Sequence, residues 1–188
     1  MMQITQSKTE ADLLQIINLQ KDNLSNGLSN VEKNNQGFVT VSHSLKDLLK
    51  MQQYEQNVIL KDKDKIVGYL LAMTKNSKLD LPILIPMFEI FDEIYIQSKK
   101  ISEYNYLVVG QVCIEKSYRG MGLLDKMYTY YKNVFQNKYD FAITEISTEN
   151  KRSIKAHQGI GFEEIYRYTD ANLIQWSIVL WKWNIKNI

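Results

Sequence analysis

The chain has 188 residues, 45% apolar and 23% charged, with a formal net charge of +2. That length supports one domain with a sizeable core, and the charge balance points to neither nucleic acid nor a membrane surface as partner. A lone cysteine, Cys113, excludes an internal disulfide, and with only two well-separated histidines a metal centre is not expected.

Met2–Thr5 is a candidate strand, and the stretch has neither the basic n-region nor the apolar core of a signal peptide. Thr9 or Ser7 caps a predicted helix from Glu10 to about Leu24. Ser25–Gly37 is polar with two glycines and reads as loop or broken helix. Phe38–Val41 is β-prone by composition. Ser44 caps a second helix to about Met51, with Leu45, Leu48 and Leu49 on one face. Asn57–Lys61 and Ile66–Thr74 form a hairpin around Asp62-Lys63-Asp64, and the run KDKDK reads as its solvated tip.

Lys75–Tyr106 holds both prolines and the longest apolar run, which is broken at Pro82 and Pro86 and too short to span a bilayer. From Met87 onward, Met87, Ile90, Phe91, Ile94 and Tyr95 follow helical spacing, which predicts an amphipathic helix packed on the core. Val108–Ile114 is a strand and Leu123–Gln136 a helix. Phe141–Ser147 is a buried strand, Asn150–Ile160 a helix stopped by Gly161, and Ile165–Tyr168 and Trp176–Trp183 are two further strands. Trp176, Trp181 and Trp183 suggest burial on both sides or a homodimer contact. Strands and helices alternate without repeats or linkers, which predicts a single mixed α/β domain over residues 1–188 with a variable insert at 75–106.

The stretch most directly tied to chemistry is VVGQVCIEKSYRGMGLL, Val108–Leu124. Strand, glycine loop and helix together aim a helix N-terminus and bare N–H groups at one spot, a phosphate-attracting arrangement. It is not the dinucleotide fingerprint, because Asp125 stands where a third glycine is needed, and no G-K-[ST] follows for a P-loop. A second element follows at Thr144–Phe162, TEISTENKRSIKAHQGIGF.

Together these elements resemble the GNAT superfamily of acyl-CoA-dependent N-acyltransferases. The family's Q/R-x-x-G-x-G/A loop is matched by Arg119 and Gly122, with Leu124 at the last position instead of Gly or Ala. Its N-x-x-[AS]-x-x-x-Y-x-x-x-G-F helix is matched by Asn150, Ser153, Gly161 and Phe162, with His157 at the tyrosine position. The resemblance implies a mostly antiparallel twisted sheet with a central splayed parallel pair, flanked by helices. It implies acetyl-CoA as cosubstrate and a primary amine, on a small molecule or a protein, as acceptor.

By the same resemblance, backbone at Val112 and Ile114 bonds the pantetheine arm. N–H groups of Arg119, Gly120, Met121, Gly122, Leu123 and Leu124 hold the pyrophosphate. Asn150 contacts the arm through its side-chain amide, with Ser153 beside it. His157 is the implied acid for the departing thiolate, and Glu145, in an apolar strand, the implied base, with Glu115 and Tyr106 in reserve. Cys113 reads as a small buried hydrophobe and not a nucleophile. A non-catalytic acyl-CoA-binding or partner-binding module on the same fold is the alternative. Composition predicts a cytoplasmic protein.

Overall fold

In the computed structural model, which describes residues 1–29, 32–33 and 36–184, seven strands form one sheet in the order β1-β2-β3-β6-β7-β9-β8. The strands are β1 (Met2–Gln6), β2 (Val58–Asp62), β3 (Lys65–Met73), β6 (Tyr106–Ile114), β7 (Phe141–Ser147), β8 (Glu163–Thr169) and β9 (Gln175–Lys182). A two-stranded ribbon, β4 (Tyr95–Ile96) with β5 (Lys99–Lys100), lies in the insert. Every pairing in the large sheet is antiparallel except β6 with β7.

Helices cover both faces. One core gathers Leu13 and Ile16 of α1 (Glu10–Lys21), Leu48 and Met51 of α2 (Leu45–Gln52), and Phe88 and Phe91 of α4 (Ile85–Glu93). The other gathers Met127, Tyr128, Tyr131 and Phe135 of α5 (Leu123–Phe135) against Leu70, Leu107 and Ala142. The short α3 (Ser77–Asp80) precedes α4 in the insert, and α6 (Lys151–Ile160) follows β7. Thr9 and Ser44 both close capping boxes, with Asp12 and Asp47 returning the bond to the cap backbone.

The insert helix packs on the core as its spacing predicts, although Tyr95 falls outside it and is exposed. Three other expectations are corrected. Phe38–Val41 is not a strand; it contributes one isolated bridge, Leu24 with Val39, and otherwise bonds to distant side chains. Leu49 points to solvent, and Met51 takes the buried position instead. The KDKDK run is not merely a solvated tip: Lys61 pairs with Asp12 at 2.7 Å, Lys65 with Glu115 at 2.7 Å, and Asp62 accepts from the Tyr118 hydroxyl at 2.9 Å. Part of the predicted loop Ser25–Gly37 lies outside the described residues.

The feature that positions the site is the parting of β6 from β7. Their register covers only Tyr106–Val108 against Phe141–Ile143. Beyond it, β6 carries one extra residue relative to β3, between Val109 and Val112, which bends the strand at Gly110–Gln111. Gly110 fits there because a Cβ would lie 3.2 Å from the Met73 methyl. Thr144 Oγ1 donates to Val109 O at 2.8 Å, so a side chain takes over where the ladder ends.

Candidate active site

The parted strands open a cleft of about 260 Å³ on the side of α5 and α6. Its floor is β6 from Val112 to Ile114, whose β7-side backbone has no strand partner. At one end lies the glycine loop. Gly120 and Gly122 have φ of 78° and 68°, and a Cβ at either would meet nothing within 4 Å, so the loop presents bare backbone to open space. Gly122 is the N-cap of α5, and the first intrahelical bond runs from Lys126 N to Gly122 O at 3.4 Å. The N–H groups ahead of it lie at the positive end of a 13-residue helix. Met121 is exposed at the crest, Leu123 is buried in the core, and Leu124 is half-buried against it while also lining the cleft.

Arg119 does something different from its neighbours. Its own N–H already reaches Lys116 O at 3.4 Å, so the free donors begin at Gly120. Its guanidinium points inward. Nε donates to Ile114 O at 2.7 Å, Nη1 to Gln36 O and Oε1 at 3.0 Å each, and Nη2 to Asn23 Oδ1 at 2.5 Å. Arg119 therefore fastens the segment 36–41 across the cleft. Asn150 holds the same segment: Nδ2 donates to Phe38 O at 2.8 Å, while Oδ1 caps α6 by accepting from Ser153 N at 3.3 Å. Among the described residues, one amide hydrogen and one lone pair of Asn150 have no partner. Gln111 completes the fastening, donating to Val41 O at 2.8 Å and accepting from the Tyr69 hydroxyl at 2.5 Å.

His157 lines the cleft wall but is buried. Its Nδ1 lies 2.8 Å from Ser153 O, which can only accept, so the ring proton is assigned to Nδ1. Nε2 then accepts from the Tyr128 hydroxyl at 2.7 Å. Burial lowers the His157 pKa to about 4, with the Ser153 carbonyl opposing. The ring is neutral at pH 7 and its one proton is committed to a backbone oxygen. A proton given to a leaving group by His157 would therefore have to come from this committed Nδ1–H. Ser153 Oγ, 3.4 Å from Nδ1, also lines the wall.

At the other end of the parted strands is a small cavity of about 70 Å³, reached by Gln111, Glu145, Thr40 and Trp176. Burial raises the Glu145 pKa to about 7, opposed by a bond from Tyr168 and reinforced by the charge of Asp170. The Tyr168 hydroxyl donates to Glu145 Oε2 at 2.6 Å. The reserve candidates lie elsewhere: Tyr106 is buried and stacked on Phe141, and Glu115 is paired with Lys65. Burial pushes the Cys113 thiol up to about 12 despite Arg119 nearby, in keeping with a buried hydrophobe.

Sequence patterns missed Tyr168 and Gln111 as parts of this site. Tyr128, read as helix packing, also bonds His157. Trp181 and Trp183 pack on Tyr128 and Tyr131, and Trp176 donates to Asp170 at 3.0 Å. Among the described residues no helix is long and apolar enough to cross a membrane.

Solved structures share this fold at low identity. The ribosomal-protein-S18-alanine N-acetyltransferase of Escherichia coli aligns over 100% of this chain and 99% of its own, at 12% identity and TM-score 0.64. A chain of the NatC complex bound to Gag peptide and CoA aligns over 96% and 98%, at 14% identity and TM-score 0.65. A Salmonella typhimurium protein solved with its cofactor acetyl-CoA aligns over 100% and 96%, at 12% identity and TM-score 0.60. No curated protein matches the chain by sequence. The model of the acetyltransferase (GNAT) family matches residues 28–162, and the chain belongs to that family.

Proposed function

We propose that this chain moves an acetyl group from acetyl-CoA to a primary amine, on a small molecule or a protein, by direct attack in a ternary complex in the cytoplasm. One observation carries the reading. A single pair of parted strands has an open glycine loop on a helix N-terminus at one end and a carboxylate with a pKa of about 7 at the other. The N–H groups from Gly120 to Leu124 suit a pyrophosphate, and the β6 backbone at Val112 and Ile114 suits the amides of a pantetheine arm. Asn150 and Ser153 flank that path.

Glu145 takes a proton from the acceptor ammonium, which a carboxylate of pKa near 7 does efficiently at neutral pH. The freed lone pair attacks the thioester carbon. Collapse of the tetrahedral intermediate breaks the C–S bond and leaves the electron pair on sulfur. The thiolate takes its proton from the intermediate's nitrogen through solvent, since His157 is neutral and committed.

Calorimetry with acetyl-CoA and thiol release over an amine panel test this reading. Glu145→Gln is expected to keep acetyl-CoA binding and lower kcat by about a hundredfold or more. No binding of acetyl-CoA or CoA would end the reading. Binding without thiol release from any amine would favour the non-catalytic acyl-CoA-binding module.

A further inference from the structure

Glu145 is held from one hairpin that lies outside the stretch matched to the family. Tyr168, near the end of β8, donates to Oε2 at 2.6 Å. Burial and the bonded Glu145 both push the Tyr168 phenol pKa far up, so it remains a donor at any pH the protein meets. Two residues on, Asp170 opens the β8–β9 turn. Its Oδ1 accepts from Asn172 N and Ile174 N at 2.9 Å each, and its Oδ2 from Trp176 Nε1 at 3.0 Å. These bonds keep Asp170 ionised and fixed, with its charge acting on Glu145. Trp176 in turn lines the small cavity that Glu145 enters.

Resting on the reading of Glu145 as base, we propose that Tyr168 is its positioning residue and that Asp170, anchored by Trp176, is its electrostatic counterweight. The hydroxyl fixes one carboxylate oxygen and leaves Oε1 for the acceptor ammonium. The bond favours the carboxylate form, while the Asp170 charge favours the protonated form, so the two residues act in opposite directions. The other groups facing Glu145 are silent at neutral pH. His157 of α6 is neutral, Gln111 of β6 and Thr40 of the fastened segment carry no charge, and Ile178 lies opposite on β9. Glu164 of β8 is turned to Arg167 and Ser177.

The test is a carbon-detected NMR titration of the Glu145 carboxylate in the full chain without cosubstrate, paired with the pH profile of kcat/KM. Tyr168→Phe is expected to raise the Glu145 midpoint by about one pH unit, as loss of a bond to a charged group should. It should lower kcat/KM below pH 7 by about tenfold. Asp170→Asn is expected to lower the midpoint, and that fall should shrink in high salt because Asp170 is at the surface. An unchanged midpoint in Tyr168→Phe overturns the proposal even if turnover is normal. A raised midpoint in Asp170→Asn overturns the counterweight. Failure of the wild-type chain to bind acetyl-CoA overturns the acetyltransferase reading on its own, and the titration is indifferent to it.

Discussion

Two ionisable side chains of the site, Glu145 and His157, are displaced toward their neutral forms by the same cause, burial, yet differ in what they can do. Glu145 has one oxygen, Oε2, bonded to Tyr168, and its Oε1 has no hydrogen-bond partner among the described residues; His157 has both nitrogens committed inside the wall. His157→Phe is therefore expected to act on stability. It orphans the buried Tyr128 hydroxyl at a cost of about 1–3 kcal/mol. Adding Tyr128→Phe should recover part of that loss, a coupling that chemical unfolding of the two single variants and the double variant would measure. Turnover should stay within a few-fold of wild type, whereas a true acid would cost about a hundredfold. The sequence could place His157 in register with Asn150 and Gly161 but not reveal its protonation state, because its partner Tyr128 sits a helix away.

At the scale of elements, the glycine loop and α5 were readable because each signal is local. Glycine stands where φ is positive, an apolar helical face follows, and Asn150 and Gly161 bracket α6. Gly122→Ala is expected to cost about 1 kcal/mol in thermal stability, from the left-handed backbone alone, since its Cβ meets no atom. The same methyl intrudes on the cradle, so acetyl-CoA affinity should fall by about tenfold or more, a disproportion that calorimetry beside a melting curve would expose. The segment 36–41 and the β8 tyrosine were not readable, for two physical reasons. Phe38–Val41 has strand-like composition, but Arg119, Asn150 and Gln111 claim its carbonyls and those of Gln36 from far along the chain. On β8 the register slips between Glu164 and Tyr166, so counting alternate residues gives no reliable face for Tyr168.

For the whole molecule, the two buried histidines contribute to the response to acid. Burial lowers both His43 and His157 to about 4, and His43 Nε2 has no hydrogen-bond partner among the described residues. The folded chain therefore binds these protons less readily than the unfolded chain, whose histidines titrate near 6.5. Their contribution is intact above pH 6.5 and is lost as pH falls toward 4, by roughly 3 kcal/mol each. Acid unfolding followed by circular dichroism should begin in that window, well before most carboxylates protonate. Replacing His43 with a neutral residue of similar volume should move the midpoint downward.

The short register of β6 with β7 also has a mechanical meaning. Three residue pairs join a four-stranded half, β1-β2-β3-β6, to a three-stranded half, β7-β9-β8. Within each half the ladders are longer, so this joint is where the sheet has the fewest ladder bonds. The loop that would grip a cosubstrate rides on one half and Glu145 with its hairpin on the other. A molecule spanning the joint would act as a cross-tie, joining the two halves where the ladder between them is shortest.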